Sequence, residues 1–288
     1  MINKLCIFGV GLIGGSLALA LKKANYCQHI VGCSRNEAHL KRAVELGVID
    51  SYTIDQQAAV EDADVVLLAV PIRAIETILE NIKDSLADKT IVTDAGSAKG
   101  SVVDAVKRVY KGHLPENFVA GHPIAGREKS SVEAAIDDLY QDHKVILTPT
   151  TGTSSDAIDA VTTMWEATGA TVEKLAIKQH DDVLAATSHL PHVLSYTFVN
   201  SLSKSDYGDA VFDFAAGGFE SFSRIASSDA VMWRDICLEN KTAILDALDA
   251  YQEDLAKIKE AINASDADEI QSLFEKAKTT RDRILEKP

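Results

Sequence analysis

Two patterns of apolar positions divide this chain. Through residue 175, short apolar runs alternate with stretches in which apolar residues return every three or four positions. After residue 177 only the second pattern persists. The runs at 5–10, 29–33, 64–70, 90–93, 118–120, 144–147 and 171–175 predict β-strands. Residues 64–70 are nearly continuously apolar and stop at Pro71, the pattern of a strand buried on both faces of a parallel sheet. Between the runs, 17–21, 36–46, 72–82, 102–109 and 155–168 predict helices. Leu40, Ala43 and Val44 keep helical spacing and Gly47 stops that helix. Ile72, Ile75, Ile78, Leu79 and Ile82 make one apolar stripe. Strands alternating with helices specify an α/β fold with a doubly wound parallel sheet. The strand at 118–120 is expected to end at Gly121-His122-Pro123, and the one at 144–147 at Thr148-Pro149.

The second part reads as all-α. Residues 180–203 make a long helical candidate with Pro191 inside it, where the missing N–H predicts a kink. Gly217-Gly218 interrupts the pattern. Residues 229–249 and 251–262 are amphipathic, and 266–285 form a charged last helix. The expected domains are 1–174, binding a dinucleotide, and 175–288, helical.

A length of 288 residues accommodates two domains. The net charge of −14 argues against nucleic acid or an anionic membrane surface as a partner. No run approaches the ~18 apolar residues of a membrane span. The N-terminus enters a strand directly, with no secretory signal, so a cytoplasmic location is expected. Cys6, Cys27, Cys33 and Cys237 include no C-x-x-C pair and suit a reducing compartment. In so acidic a chain, an anionic ligand must be met by local cations, which makes single arginines near glycine turns informative.

The chemistry gathers where the strands end. Gly9-Val10-Gly11-Leu12-Ile13-Gly14 follows the first strand and opens a helix, matching the G-x-G-x-x-G dinucleotide turn. The first glycine permits the bend, the second lets a pyrophosphate approach the backbone, and the third lets helix and strand pack closely. The candidate cofactor residues are Gly9, Gly11, Leu12, Ile13 and Gly14, with Ser34 and Arg35 after the second strand and Val70 and Pro71 after the run at 64–70. Asp94-Ala95-Gly96-Ser97-Ala98-Lys99 and Gly121-His122-Pro123-Ile124-Ala125-Gly126-Arg127-Glu128 stand on the same rim. His122 is the leading acid–base candidate, since an imidazole titrates near working pH; a loop histidine bonded to a carbonyl is the plain alternative. His189 and His192 sit three apart on one helix face. No third ligand follows at metal-site spacing, so substrate contact or capping is expected and no metal. Arg224 can clamp a carboxylate with its fork, or form a surface ion pair. Met232 and Trp233 read as ordinary helix packing.

Several motifs together resemble the prephenate/arogenate dehydrogenase family. They are Gly-Val-Gly-Leu-Ile-Gly-Gly-Ser at 9–16, Asp-Ala-Gly-Ser-Ala-Lys-Gly at 94–100, Gly-His-Pro-Ile-Ala-Gly-Arg-Glu-Lys-Ser at 121–130, Ser-His-Leu-Pro-His at 188–192, and Gly-Gly-Phe…Arg-Ile-Ala…Met-Trp-Arg-Asp at 217–235. The resemblance implies a Rossmann-type N-terminal domain and a helical domain that forms a homodimer. It implies oxidative decarboxylation of prephenate to 4-hydroxyphenylpyruvate with hydride transfer to NAD(P)+, or of arogenate to tyrosine. It assigns His122 as base for the ring hydroxyl, Ser97 as its neighbour near the nicotinamide, Arg224 as carboxylate partner, His189 and His192 as pocket lining, and Glu128 at the mouth. It also implies a monofunctional enzyme, since little chain follows the helical region.

One departure bears on the cofactor. NAD-selective sites carry Asp or Glu about 20 residues past the glycines; Ser34 stands there, followed by Arg35, so NADP is favoured over NAD. Rival readings are a β-hydroxyacid dehydrogenase or imine reductase, a non-catalytic dinucleotide sensor, and, more weakly, a methyltransferase.

Overall fold

Six parallel strands carry the N-terminal part: β1 (Ile2–Phe8), β2 (Cys27–Cys33), β3 (Ser51–Thr53), β4 (Val65–Leu68), β5 (Ile91–Asp94) and β6 (Phe118–Val119), in the order β3-β2-β1-β4-β5-β6. The computed structural model describes residues 1–127, 129 and 131–285. It divides into two compact units, Met1–Lys241 and Thr242–Pro288.

All four residues of β4 are buried, as an unbroken apolar run requires. Alternate side chains of the central strands enter two separate cores. Leu5, Ile7, Val65 and Leu67 pack with α1 (Leu12–Lys23), α2 (Glu37–Glu45) and α6 (Ser155–Glu166). Cys6, Phe8, Val66 and Leu68 pack with α3 (Gln56–Val60), α4 (Ile75–Ile82) and α5 (Lys99–Val109). The sheet is therefore doubly wound, and its order reverses between β1 and β4, where open α/β sheets bind ligands. β3 and α3 lie in a stretch without a readable pattern; three half-buried edge residues are too few to show a period. α5 begins three residues before the expected start at 102.

The last three strands correct the single-sheet expectation. β7 (Gly121–Ile124), β8 (Lys144–Leu147) and β9 (Thr171–Lys174) form a second sheet, with β7 antiparallel to β8 and β8 parallel to β9. The expected strand at 118–120 breaks because its next backbone groups bond elsewhere. The Ala120 carbonyl accepts from Thr148 N at 2.9 Å, and Gly121 N donates to Asp94 Oδ1 at 3.1 Å. Pro123, with no N–H, is tolerated because β7 is an edge strand. His122 thus sits inside a strand rather than beyond the end of one.

The helix expected over 180–203 is also two: α7 (Ile177–Leu184) and α8 (Leu190–Leu202), joined by a π turn, Ala185–His189. Pro191 lacks the N–H that would bond Thr187 four residues back, and the winding widens just ahead of it. α9 (Gly217–Ser223) starts at the glycine pair, and α10 (Ala230–Glu239) is capped by Asp229, whose Oδ1 accepts from Met232 N at 2.7 Å. The helix expected over 229–249 ends at Asn240, and α11 (Lys241–Asn263) begins anew. The second unit holds nearly all of α11 together with α12 (Ala267–Leu285) and exposes Leu245, Leu255, Ile262 and Phe274.

Candidate active site

The turn after β1 is held by backbone proximity. Gly9 has φ +89°, and a Cβ on it would stand 2.2 Å from Ala69 O, so only glycine fits. A Cβ on Gly14 would stand 2.3 Å from Gly9 O and 2.7 Å from Ile7 Cγ2, which lets α1 lie directly on β1. Gly11 caps α1 without a side-chain bond, and the first turn carries no acid. The first N–H groups and the positive end of the dipole are left to a phosphate. Leu12 is buried and Ile13 half-buried; the Ile13 carbonyl accepts from the Tyr140 hydroxyl at 2.6 Å. Val70 Cγ1 would lie 3.1 Å from a Gly9 Cβ, so the Val70-Pro71 segment borders the turn. These residues fit a dinucleotide pyrophosphate. At the end of β2, the Ser34 hydroxyl lies 3.3 Å from Asn36 N and Arg35 is exposed. Glu37, the next acid in sequence, is taken up by Lys41 at 3.1 Å and the Tyr52 hydroxyl at 3.1 Å.

His122 lies opposite Ile146 of β8 and is 9% exposed. Its neighbour Gly121 is clamped from β5 and the start of α5: the N–H donates to Asp94, and the carbonyl accepts from Lys99 Nζ at 2.6 Å. Lys99 is fully buried and also pairs with Asp94. Burial pulls its ammonium below the usual pKa against the opposing charge of Asp94.

A chain of hydrogen bonds leads away from His122. Its Nδ1 lies 2.9 Å from His180 Nε2, and His180 Nδ1 lies 2.8 Å from Asp181 Oδ1. Asp181 also accepts from Lys99 N and Gly100 N, each at 2.8 Å, at the start of α5. Burial alone would raise the Asp181 pKa; the bonds from His180 and from the α5 backbone outweigh it and hold it low. An ionised carboxylate only accepts, so His180 Nδ1 carries the proton and its Nε2 accepts. His122 Nδ1 must then donate, which leaves the lone pair on His122 Nε2. Burial, with His180, Lys99 and His189 adding to it, pushes the His122 pKa well below 6.5. His180 is lowered too, burial outweighing Asp181.

The other histidines extend this cluster. His189 ends the π turn, and its Nδ1 lies 3.1 Å from Asn240 Nδ2. Because the amide donates, His189 Nε2 carries the hydrogen, and burial followed by His180 lowers the pKa to about 4. His189 Nε2 and Trp233 Nε1 are buried with no hydrogen-bond partner among the described residues. His192 stacks on Trp233 with centroids 3.6 Å apart, and burial and the charge of Arg224 lower its pKa despite the bond to the Ser188 carbonyl. Arg224 is exposed at the start of a turn, Arg224–Ser227. Ser97 is half-buried between β5 and α5. Glu128 lies outside the described residues.

Residue type and spacing assign no role to His180, Asp181 or Asn240 and mark Asp94 and Lys99 only as rim residues; Trp233 packs between helices, as expected, stacked on His192. A histidine directly before an acid, just after the last strand, was the available signal. Nothing local says that it meets His122, 58 residues away.

Two family models match the chain: "Prephenate dehydrogenase, nucleotide-binding domain" over 17–174 and "Prephenate dehydrogenase, dimerization domain" over 177–276. The cyclohexadienyl dehydrogenase of Zymomonas mobilis is 36% identical, over 96% of this chain and 94% of its own. The prephenate dehydrogenase of Bacillus subtilis is 36% identical, over 99% of this chain and 76% of its own. The crystal structure of prephenate dehydrogenase from A. aeolicus, in complex with hydroxyphenyl propionate and NAD+, superposes with a TM-score of 0.91 at 36% identity, covering 99% of both chains. With the dinucleotide turn, the doubly wound sheet and the helical second part, these similarities establish that the chain belongs to the prephenate dehydrogenase family of NAD(P)-dependent oxidoreductases.

Proposed function

We propose that this protein oxidises prephenate to 4-hydroxyphenylpyruvate and CO2, passing hydride to NADP+ in preference to NAD+. The observation that carries the reading is His122: a buried, neutral imidazole whose Nε2 is left as an acceptor. Bound NAD(P)+ supplies the hydride acceptor. His122 Nε2 takes the proton of the ring hydroxyl and can return it to the phenolate once CO2 has left, so no net proton is released. A base whose pKa lies below working pH stays ready to accept. Arg224 holds a substrate carboxylate through its fork, which answers the net charge of −14 locally. Ser97 lies near the reacting hydroxyl, and His189 and His192 line the helical side. A role for Glu128 rests on the family motif alone.

Ser34 and Arg35 support the NADP preference. Ser34 can donate to a 2′-phosphate and Arg35 can pair with it, and neither position carries the carboxylate that would repel it. We read residues 1–174 as the dinucleotide domain and 175–288 as the helical one. The exposed apolar residues of α11 and α12 support a homodimer. No helix among the described residues is long and apolar enough to cross a membrane, which is compatible with a cytoplasmic enzyme.

The test is a steady-state comparison of prephenate and arogenate with NADP+ and NAD+, following the reduced cofactor. The highest kcat/KM is expected for prephenate with NADP+. A higher value for arogenate would reassign the substrate, a much higher value with NAD+ would overturn the cofactor preference, and no turnover of either substrate would favour a sensor.

A further inference from the structure

We propose that His180 and Asp181 are positioning residues that fix the proton on His122 Nδ1 and so keep His122 Nε2 as the acceptor. This rests on His122 being the base and adds the source of its proton arrangement.

Three independent features build the pair. His180 is fully buried and both of its ring nitrogens are bonded, one to Asp181 and one to His122. An imidazole that served only to fill space would not need both. Asp181 is oriented from several sides: Lys99 N and His180 converge on Oδ1, Gly100 N meets Oδ2, and Asn240 Nδ2 donates to its carbonyl at 2.9 Å. Gly100 makes this approach possible, because a Cβ on it would stand 2.8 Å from Asp181 Oδ2.

A helix-capping role would account for Asp181 alone. It leaves the bond between the two histidines unexplained. Without His180, nothing in the chain of bonds holds the proton on His122 Nδ1, and the tautomer with hydrogen on Nε2 cannot accept. The groups facing His180 are His122, Asp181, Lys99, Asp94 and His189. Neutral His180, held by the ionised Asp181, thus prepares the base before substrate arrives, and Asp181 steadies the imidazolium that forms after it, the logic by which a carboxylate orients a catalytic histidine.

The test separates positioning from capping. His180→Leu removes the acceptor for His122 and leaves the Asp181 bonds to α5 intact. It is expected to lower kcat by about tenfold or more, with KM and dinucleotide affinity changed by less than about threefold. In His180→Gln, the side-chain carbonyl can accept from His122 while its amide donates to Asp181, so this variant is expected to recover most of the loss. In isotopically labelled wild-type protein, ring-nitrogen chemical shifts should show His122 with hydrogen on Nδ1 and a bare Nε2. A His180→Leu enzyme with wild-type kcat, or hydrogen on His122 Nε2 in the wild type, overturns the proposal; the second measurement decides it even where the leucine variant does not fold. His122→Asn is assayed alongside. If it keeps its kcat, the base assignment fails; if it loses kcat while His180→Leu does not, only the positioning role fails.

Discussion

The dinucleotide turn and the histidine cluster are both held by backbone groups in close approach, yet they are assembled over different distances along the chain. Residues 9–14 make the turn almost alone, with Ala69 and Val70 beside them. The cluster joins the ends of β5 and β7 to α7, the π turn and Asn240. Its bonds span 58 residues from His122 to His180, 82 from Lys99 to Asp181 and 51 from His189 to Asn240. The turn presents open N–H groups and a helix dipole, and its rim includes the exposed Arg35. The cluster is largely buried, and burial is the first cause of the lowered pKa of His122, His180, His189 and His192. Binding at the first should therefore respond to changes of charge, and chemistry at the second to the placement of one proton.

Two experiments sharpen that contrast. The larger effect is expected at the rim. Replacing Ser34 by Asp and Arg35 by Gln should weaken NADP+ by at least about tenfold, since each charge-assisted contact is worth about 1.5–3 kcal/mol, and should shift preference toward NAD+. The readout is cofactor titration of both forms; unchanged NADP+ affinity would remove Ser34 and Arg35 from the site. The smaller effect is expected at the cluster. The active form of His122 is neutral, and its pKa lies below the ordinary 6.5. Falling pH therefore does not protonate it until below that value. The kcat/KM for prephenate, which reports groups of the free enzyme, should change less than about twofold between roughly pH 7.5 and 6.5 and decline only beneath. A decline already half complete at 6.5 would mean that burial does not govern this imidazole.

The same contrast explains what the sequence discloses. The glycine turn is legible because each glycine answers a constraint set by its immediate neighbours. Most of the strands of the main sheet are legible because apolar runs record burial on both faces. His122, His189, His192 and Arg224 can be singled out one at a time by residue type and setting, but their partners cannot. His180 meets His122 only because β7 leaves the main sheet at Ala120 and turns antiparallel to β8. That departure comes with two bonds from distant residues, Thr148 N to the Ala120 carbonyl and Gly121 N to Asp94, the second across 27 residues. Trp233 reads as packing and does pack, but its partner, His192, lies on another helix and is not legible beside it. The π turn is equally hidden: Pro191 announces a fault in the helix, but not that the fault falls before it and carries His189.

His122 accepting the hydroxyl proton is tested most directly by the kcat of His122→Asn with saturating prephenate and NADP+. Asparagine preserves a polar side chain of similar size and cannot serve as the base. The expected result is a fall in kcat of roughly 10²–10⁴-fold, with folding and NADP+ affinity nearly unchanged. A variant that keeps most of its kcat would contradict it.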